Sequence, residues 1–266
     1  MHKVKRKHRL LAKHPYCYFC GGIAHATTVD HVPPKACFPD GYWPEEFEFP
    51  ACEKCNYGTA KSDLIFGFYS MLLDFNQANR SQADIAKLNR LRATIAKRYP
   101  ESFPNALDAR PIYVVNGLFT PSPVAIETGM PAAFREAVAS IGPKLTHALY
   151  YREMGKAISS QLHFVTGCYQ PQNSATATLT RFFEELLPDF TVAGRSNIKS
   201  YGERFAYKSG VKEKEDFFVY AAQFGKGLIL WGIVSGTSAL KNVGGPLRNM
   251  PWRKGACGAG SANYCS

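Results

Sequence analysis

Two Cys-x-x-Cys pairs, Cys17/Cys20 and Cys52/Cys55, enclose a stretch that holds the dipeptide Asp30-His31, and Asn56 directly follows the last cysteine. Thiolate sulfur suits a borderline-soft cation, and two such pairs fill the corners of one tetrahedral Zn2+ site. Each pair forms a short knuckle with both sulfurs facing the same way. The spacing therefore predicts one closed zinc centre that contributes folding energy and no chemistry. Chemistry must come from the neighbours. Imidazole titrates near working pH, which suits His31 to take a proton from water. The side-chain oxygens of Asp30 and Asn56 suit a hard divalent cation, Mg2+ or Mn2+. A base for water and a cation for developing oxyanion charge are what phosphodiester hydrolysis requires.

The order C-x2-C, then Asp-His ten residues on, then C-x2-C-Asn resembles the HNH (His-Me finger, ββα-metal) endonuclease superfamily. The layout is similar to the phage endonuclease VII type, where an Asn likewise follows the last zinc cysteine. The resemblance covers about residues 14–65. It implies a β-hairpin carrying Asp30-His31, a following helix carrying Asn56, and a zinc knuckle pinning the two together. It also implies His31 as general base, Asp30 and Asn56 as ligands of a catalytic Mg2+ or Mn2+, and DNA ahead of RNA as substrate. Adjacent strand residues face opposite sides, so the family's shared site requires the strand to bend at Asp30-His31. One departure stands out: positions 57–68 hold neither the His nor the Asn that the family places beyond its central Asn. Asp63 lies two helical turns past Asn56 and is the replacement ligand on offer. Thr59 is a weaker one, and Lys61 is a candidate phosphate contact. A catalytically inactive zinc-knuckle protein that binds nucleic acid is the alternative reading.

The elements that must position these residues follow from local pattern. A strand at 26–29 ends at Val32-Pro33-Pro34, since proline cannot continue a ladder. A helix is predicted from about Cys52 to Phe68 and a second from Ser81 to Arg98, whose Ile85, Leu88, Leu91 and Ile95 form one apolar stripe. Tyr99–Pro111 is a Pro-rich linker. Beyond it the pattern predicts a strand over Ile112–Phe119, a helix over Pro131–Ser160 broken at Gly142-Pro143, a strand over Gln161–Thr166 and a helix over Ala175–Leu187. Strands over Tyr201–Tyr207, Phe217–Phe224 and Leu228–Val234 are parted by turns at Ser209-Gly210 and Gly225–Gly227, an antiparallel meander. The aromatic residues of that meander are core or a stacking surface for bases. The tail from Gly244 is rich in Gly and Ser and is expected to be poorly ordered.

Strands and helices without strict alternation argue for an α+β fold. The expected organisation is a zinc-stabilised ββα-metal nuclease domain with a basic arm at 1–75, a helical segment and linker at 76–111, and a C-terminal α+β domain at 112–266. Composition sets outer limits. With 266 residues, 45% of them hydrophobic, there is material for a sizeable core. A net charge of +11 favours a polyanionic partner, nucleic acid ahead of membrane. Residues 1–14 hold six Lys/Arg and no acid, a basic arm able to contact phosphates. No apolar run approaches the length of a membrane span, and the basic N-terminus lacks an apolar stretch behind it. Together with zinc thiolates these features suggest a reducing, cytoplasmic setting. Cys37, Cys168, Cys257 and Cys265 have no partner at ligand spacing and are expected to be ordinary thiols.

Overall fold

The structure is a computed structural model that describes residues 2–39, 43–44, 46–74, 81–103, 109–114, 122–128, 131–169, 181, 183, 187, 191–192, 204–212, 217–236 and 253–254. A basic helix, α1 (His2–Lys13), leads into the first knuckle. Strand β1 (Thr28–His31) pairs antiparallel with β2 (Glu48–Ala51), placing Asp30 opposite Phe49 and His31 opposite Glu48. Helix α2 (Glu53–Tyr57) follows at once. The connected chain thus runs strand, strand, helix, with the second cysteine pair at the start of the helix.

The single helix expected over 52–68 is instead two. After α2 the chain breaks at Gly58-Thr59 and resumes as α3 (Ala60–Leu72). The Thr59 hydroxyl lies 3.2 Å from the Asn56 carbonyl, and the Thr59 carbonyl accepts from the Asp63 N–H to start the new helix. Local side-chain bonding of this kind competes with helix continuation. Residues Lys35–Cys37 form a 3₁₀ turn against α3. Gly67 makes that approach possible, since a Cβ there would stand 2.3 Å from the Ala36 Cβ. Helix α4 (Gln82–Arg98) begins at Ser81 with a capping box shared with Asp84, at the predicted position.

The long helix α5 (Ala132–Met154) runs unbroken through Pro143, contrary to the expected interruption. A proline inside a helix costs about 3 kcal/mol. Ile141, Leu145, Ala148 and Leu149 are fully buried around it. Each large apolar side chain so buried contributes roughly 1.5–3 kcal/mol, which outweighs one lost hydrogen bond. Strand β3 (Ala109–Val114) pairs with β4 (Ser122–Thr128) in a separate hairpin.

The large sheet is antiparallel. It contains β5 (Leu162–Tyr169), β6 (Thr191–Val192), β7 (Phe205–Lys212), β8 (Phe217–Phe224), β9 (Leu228–Gly236) and β10 (Arg253–Lys254), in the order β10-β5-β9-β8-β7-β6. The predicted meander is present as β7-β8-β9, and Gly225 turns it with φ 55°. Ser209-Gly210 is not a turn: β7 continues to Lys212, paired with Phe217. Both faces of the central strands are covered. Phe218, Tyr220, Ala222, Leu228 and Leu230 face the main core, while Val219, Ala221, Ile229, Trp231 and Ile233 face a second cluster with Phe183 and Leu187. These aromatic side chains are core and offer no stacking platform. The helix expected at Ala175–Leu187 and the tail from Gly244 lie largely outside the described residues.

The fold is α+β. The β1-β2 hairpin and the six-stranded sheet are separate sheets. Their side chains nonetheless meet in one core: Phe47 packs edge-on to Phe205 and Tyr207, and Phe66 to Phe224. Segments 1–75 and 112–266 are therefore joined by packing as well as by the connecting chain. Among the described residues no helix is long and apolar enough to cross a membrane. Cys168 is disulfide-bonded, which corrects its expected state as an ordinary thiol; its partner lies outside the described residues.

Candidate functional site

The four knuckle cysteines converge. The sulfur atoms of Cys17, Cys20, Cys52 and Cys55 all lie within 4.8 Å of one another. Tetrahedral Zn–S bonds of about 2.3 Å place sulfurs about 3.8 Å apart, so the quartet needs only a slight contraction. The first knuckle turns at Gly21 and Gly22, both at positive φ. The Ala24 N–H reaches the Cys20 sulfur at 3.4 Å. Cys17 is drawn down to about 5, first by a hydrogen bond with the Cys55 thiol and then by backbone donors of Cys52, Cys20 and Phe19. Burial pushes Cys20 up. A thiolate forms first at Cys17, and donors to sulfur favour the charged ligand set a cation needs. The Tyr18 N–H donates to the Pro50 carbonyl, tying this knuckle to β2. The donor set and its closure fit a structural zinc.

Asp30 and His31 stay on opposite sides of β1. Asp30 is 2% exposed and turned inward, whereas the His31 side chain is 25% exposed. Strand alternation holds, and the bend expected from the nuclease resemblance does not bring the two together. Both Asp30 oxygens are engaged. Oδ2 accepts from the Tyr18 hydroxyl at 2.9 Å. Oδ1 accepts from the His31 N–H at 2.8 Å and from Lys144 Nζ at 3.0 Å. Burial, reinforced by the Asp30 charge, pushes Tyr18 well above its ordinary range, so Tyr18 remains a neutral donor.

Lys144 was not singled out by any sequence pattern. It sits on α5 with no exposed surface, and its ammonium also reaches Thr59 Oγ1 at 2.8 Å and both Asp63 oxygens at 3.1 and 3.2 Å. Asp63 is therefore beside Asp30, as the sequence suggested for a replacement ligand, but a lysine lies between them. One ammonium cannot offset two buried carboxylates. Burial pushes Asp63 up to about 6 despite the opposing pull of Lys144.

Asn56 serves the framework. Its amide Nδ2 donates to Thr28 Oγ1 at 3.0 Å and to the Val29 carbonyl at 3.3 Å, which pins α2 to β1. These contacts draw its amide nitrogen to Thr28 and Val29. Lys61 pairs with Glu101 at 2.8 Å.

His31 has a distinct setting. Its ring meets Trp43 edge-on with centroids 4.6 Å apart, and Lys35 Nζ stands 4.7 Å over the same indole. Nε2 is 3.5 Å from Glu48 Oε1, and Glu48 Oε2 is held by Arg6 of α1 at 3.0 Å. Glu48 favours protonation, but burial and the charges of Lys35, Lys144 and Arg6 prevail and lower His31 to about 4. The imidazole is thus neutral at neutral pH. In the Nε2–H tautomer, the Nδ1 lone pair is the atom that accepts a proton. Arg6, Lys7, Arg9 and Lys13 are exposed along α1, so the basic arm is a helix leaning on the hairpin.

Comparison with family models, with curated proteins and with solved structures found no match. Glu48, Trp43, Tyr18 and Lys144 were missed by sequence reasoning. Glu48 is the cross-strand partner of His31, so only knowledge of register could have exposed it. Nothing in the local sequence around Lys144 marks its destination.

Proposed function

We propose that this protein acts on the phosphodiester backbone of nucleic acid, with His31 as the general base that activates water. The observation carrying this reading is a part-exposed, neutral imidazole set among Arg6, Lys35 and Lys144. The exposed pair Arg6 and Lys35 would attract a phosphate to the imidazole and stabilise the charge that develops on it. Nδ1 takes the proton of the attacking water, and Glu48 steadies the ring through Nε2. The strand-strand-helix order with a zinc quartet at its base supports the HNH-like reading, and DNA as substrate follows from that resemblance. Zinc at Cys17, Cys20, Cys52 and Cys55 is structural in this scheme.

A catalytic Mg2+ or Mn2+ held by Asp30 and Asn56 fits these residues poorly. Asp30 is buried and spent on Tyr18, Lys144 and the His31 N–H. The same closure of Asp30 favours a second reading, a zinc-knuckle protein that binds nucleic acid without cutting it. Incubating zinc-loaded protein with plasmid DNA and with RNA, beside His31→Ala, separates the two. Cleavage lost in His31→Ala at unchanged zinc content supports hydrolysis. Binding without cleavage by the wild type establishes the second reading.

A further inference from the structure

Among the described residues, Lys144 is the one buried ammonium in contact with both Asp30 and Asp63, and it approaches them from an element remote in sequence. Its contacts are those of a small cation among oxygen donors: Asp30 Oδ1, both oxygens of Asp63 and the Thr59 hydroxyl, all at 2.8–3.2 Å. A divalent ion in this position would take the same two carboxylates at shorter range. An ammonium and a divalent ion cannot share the space, and their mutual repulsion at this depth is severe.

We propose that the Lys144 ammonium takes the place of a divalent cation beneath β1, so that the Asp30–Asp63 carboxylate pair under the His31 site binds no Mg2+ or Mn2+. This rests on reading the His31 site as a phosphodiester-hydrolase centre, and it names that centre's cofactor requirement: none at this carboxylate pair. Lys144 neutralises Asp30 from below the strand. Arg6 and Lys35 face the substrate side near the imidazole, where a phosphate would lie. The zinc quartet is a separate site built from other side chains.

The test uses the full-length, zinc-loaded protein in buffer freed of other divalent ions, with Mn2+ alone as probe and its free electron-spin-resonance signal as readout. Wild-type protein is expected to leave that signal unchanged when Mn2+ is equimolar. Lys144→Met, which frees two carboxylates, is expected to bind Mn2+ at least ~10-fold more tightly than wild type, because carboxylate oxygens are the ligands such an ion prefers. That binding should vanish when Asp30→Asn is added. Mn2+ bound by the wild type and released by Asp30→Asn would overturn the proposal. So would a folded Lys144→Met protein that binds no more Mn2+ than the wild type. If Lys144→Met does not fold, the wild-type titration with its Asp30→Asn control decides alone. Plasmid cleavage is followed in parallel. Cleavage that proceeds without added Mg2+ supports the proposal, and cleavage that begins only with Mg2+ and is lost in Asp30→Asn overturns it. Absence of cleavage under all conditions bears on the hydrolase reading, and the Mn2+ titration still decides the metal question.

Discussion

The Lys144 ammonium on α5 lies 3.0 Å from the Asp30 carboxylate on β1, with 0% and 3% of the two side chains exposed. This buried pair couples the strand that carries His31 to the helix that anchors the large sheet. Removing one partner of a buried ion pair strands the other charge, at a cost of roughly 3–5 kcal/mol. Lys144→Met is expected to lose about that much stability in urea unfolding. Adding Asp30→Asn should return part of it, because the stranded charge is then gone. A single substitution that unfolds no more readily than wild type would show that the pair is not closed in solution.

Zinc should be stoichiometric and structural. Replacing Cys55 with Ser is expected to remove the metal and unfold the knuckle region together, since binding energy is folding energy in such sites. Elemental analysis of freshly purified wild type should give one zinc per chain, and X-ray absorption should show four sulfur neighbours at about 2.3 Å. A site with two sulfurs, or with none, would remove the quartet as assigned.

The acid limb of any cleavage profile should lie low. Sequence reasoning from an ordinary imidazole places its midpoint at about 6–7. Burial and three nearby cations move His31 to about 4, so the base stays competent well below pH 6. His31→Ala should slow cleavage by at least ~10²-fold with zinc retained. A profile that rises only between pH 6 and 7 would point to a different base.

Asn56→Ala is expected to act on stability. It removes two donors that hold α2 to β1, and exposed or lost hydrogen bonds of this type cost about 1–3 kcal/mol. Thermal unfolding should therefore shift downward. Any dependence of activity on Mg2+ should be the same before and after the substitution, and a rise in the Mg2+ requirement would restore Asn56 as a metal ligand.

His147 gives the protein a built-in acid sensitivity. It is 1% exposed between Phe19 and Phe164, and burial lowers it to about 4. The unfolded chain binds this proton near pH 6.5 and the folded chain only near 4. The unfolded state therefore holds more protons across that window, and stability is full above 6.5 and declines as pH falls to about 4. The total is on the order of 3 kcal/mol. Asp63 works in the opposite sense over part of the range, because its folded carboxyl is raised to about 6 and its proton stabilises the fold as pH drops. Comparing wild type with His147→Phe isolates the histidine: the variant should show a flatter decline between pH 6.5 and 4. Parallel curves for the two proteins would mean that His147 is protonated freely in the folded state.

The sequence alone determined whatever depends on neighbours along the chain. The four-cysteine cluster was legible from two fixed spacings, because each Cys-x-x-Cys turn orients its two sulfurs locally. The helix from Ser81 and the strands Phe217–Phe224 and Leu228–Val234 followed from an apolar stripe and apolar runs, which are equally local, and the last strand runs two residues further to Gly236. Asp30, His31 and Asn56 were found where a hairpin and helix would put them. What each of them touches was decided by tertiary structure. Asp30 receives Lys144 from α5, Asn56 turns to β1, and His31 loses its ordinary basicity to Lys35, Lys144 and Arg6 together with burial. Desolvation and Coulomb interactions act through space over a few ångströms. Residues as far apart in sequence as Thr59 and Lys144 meet only after α3 and α5 have packed, and no spacing rule records that meeting.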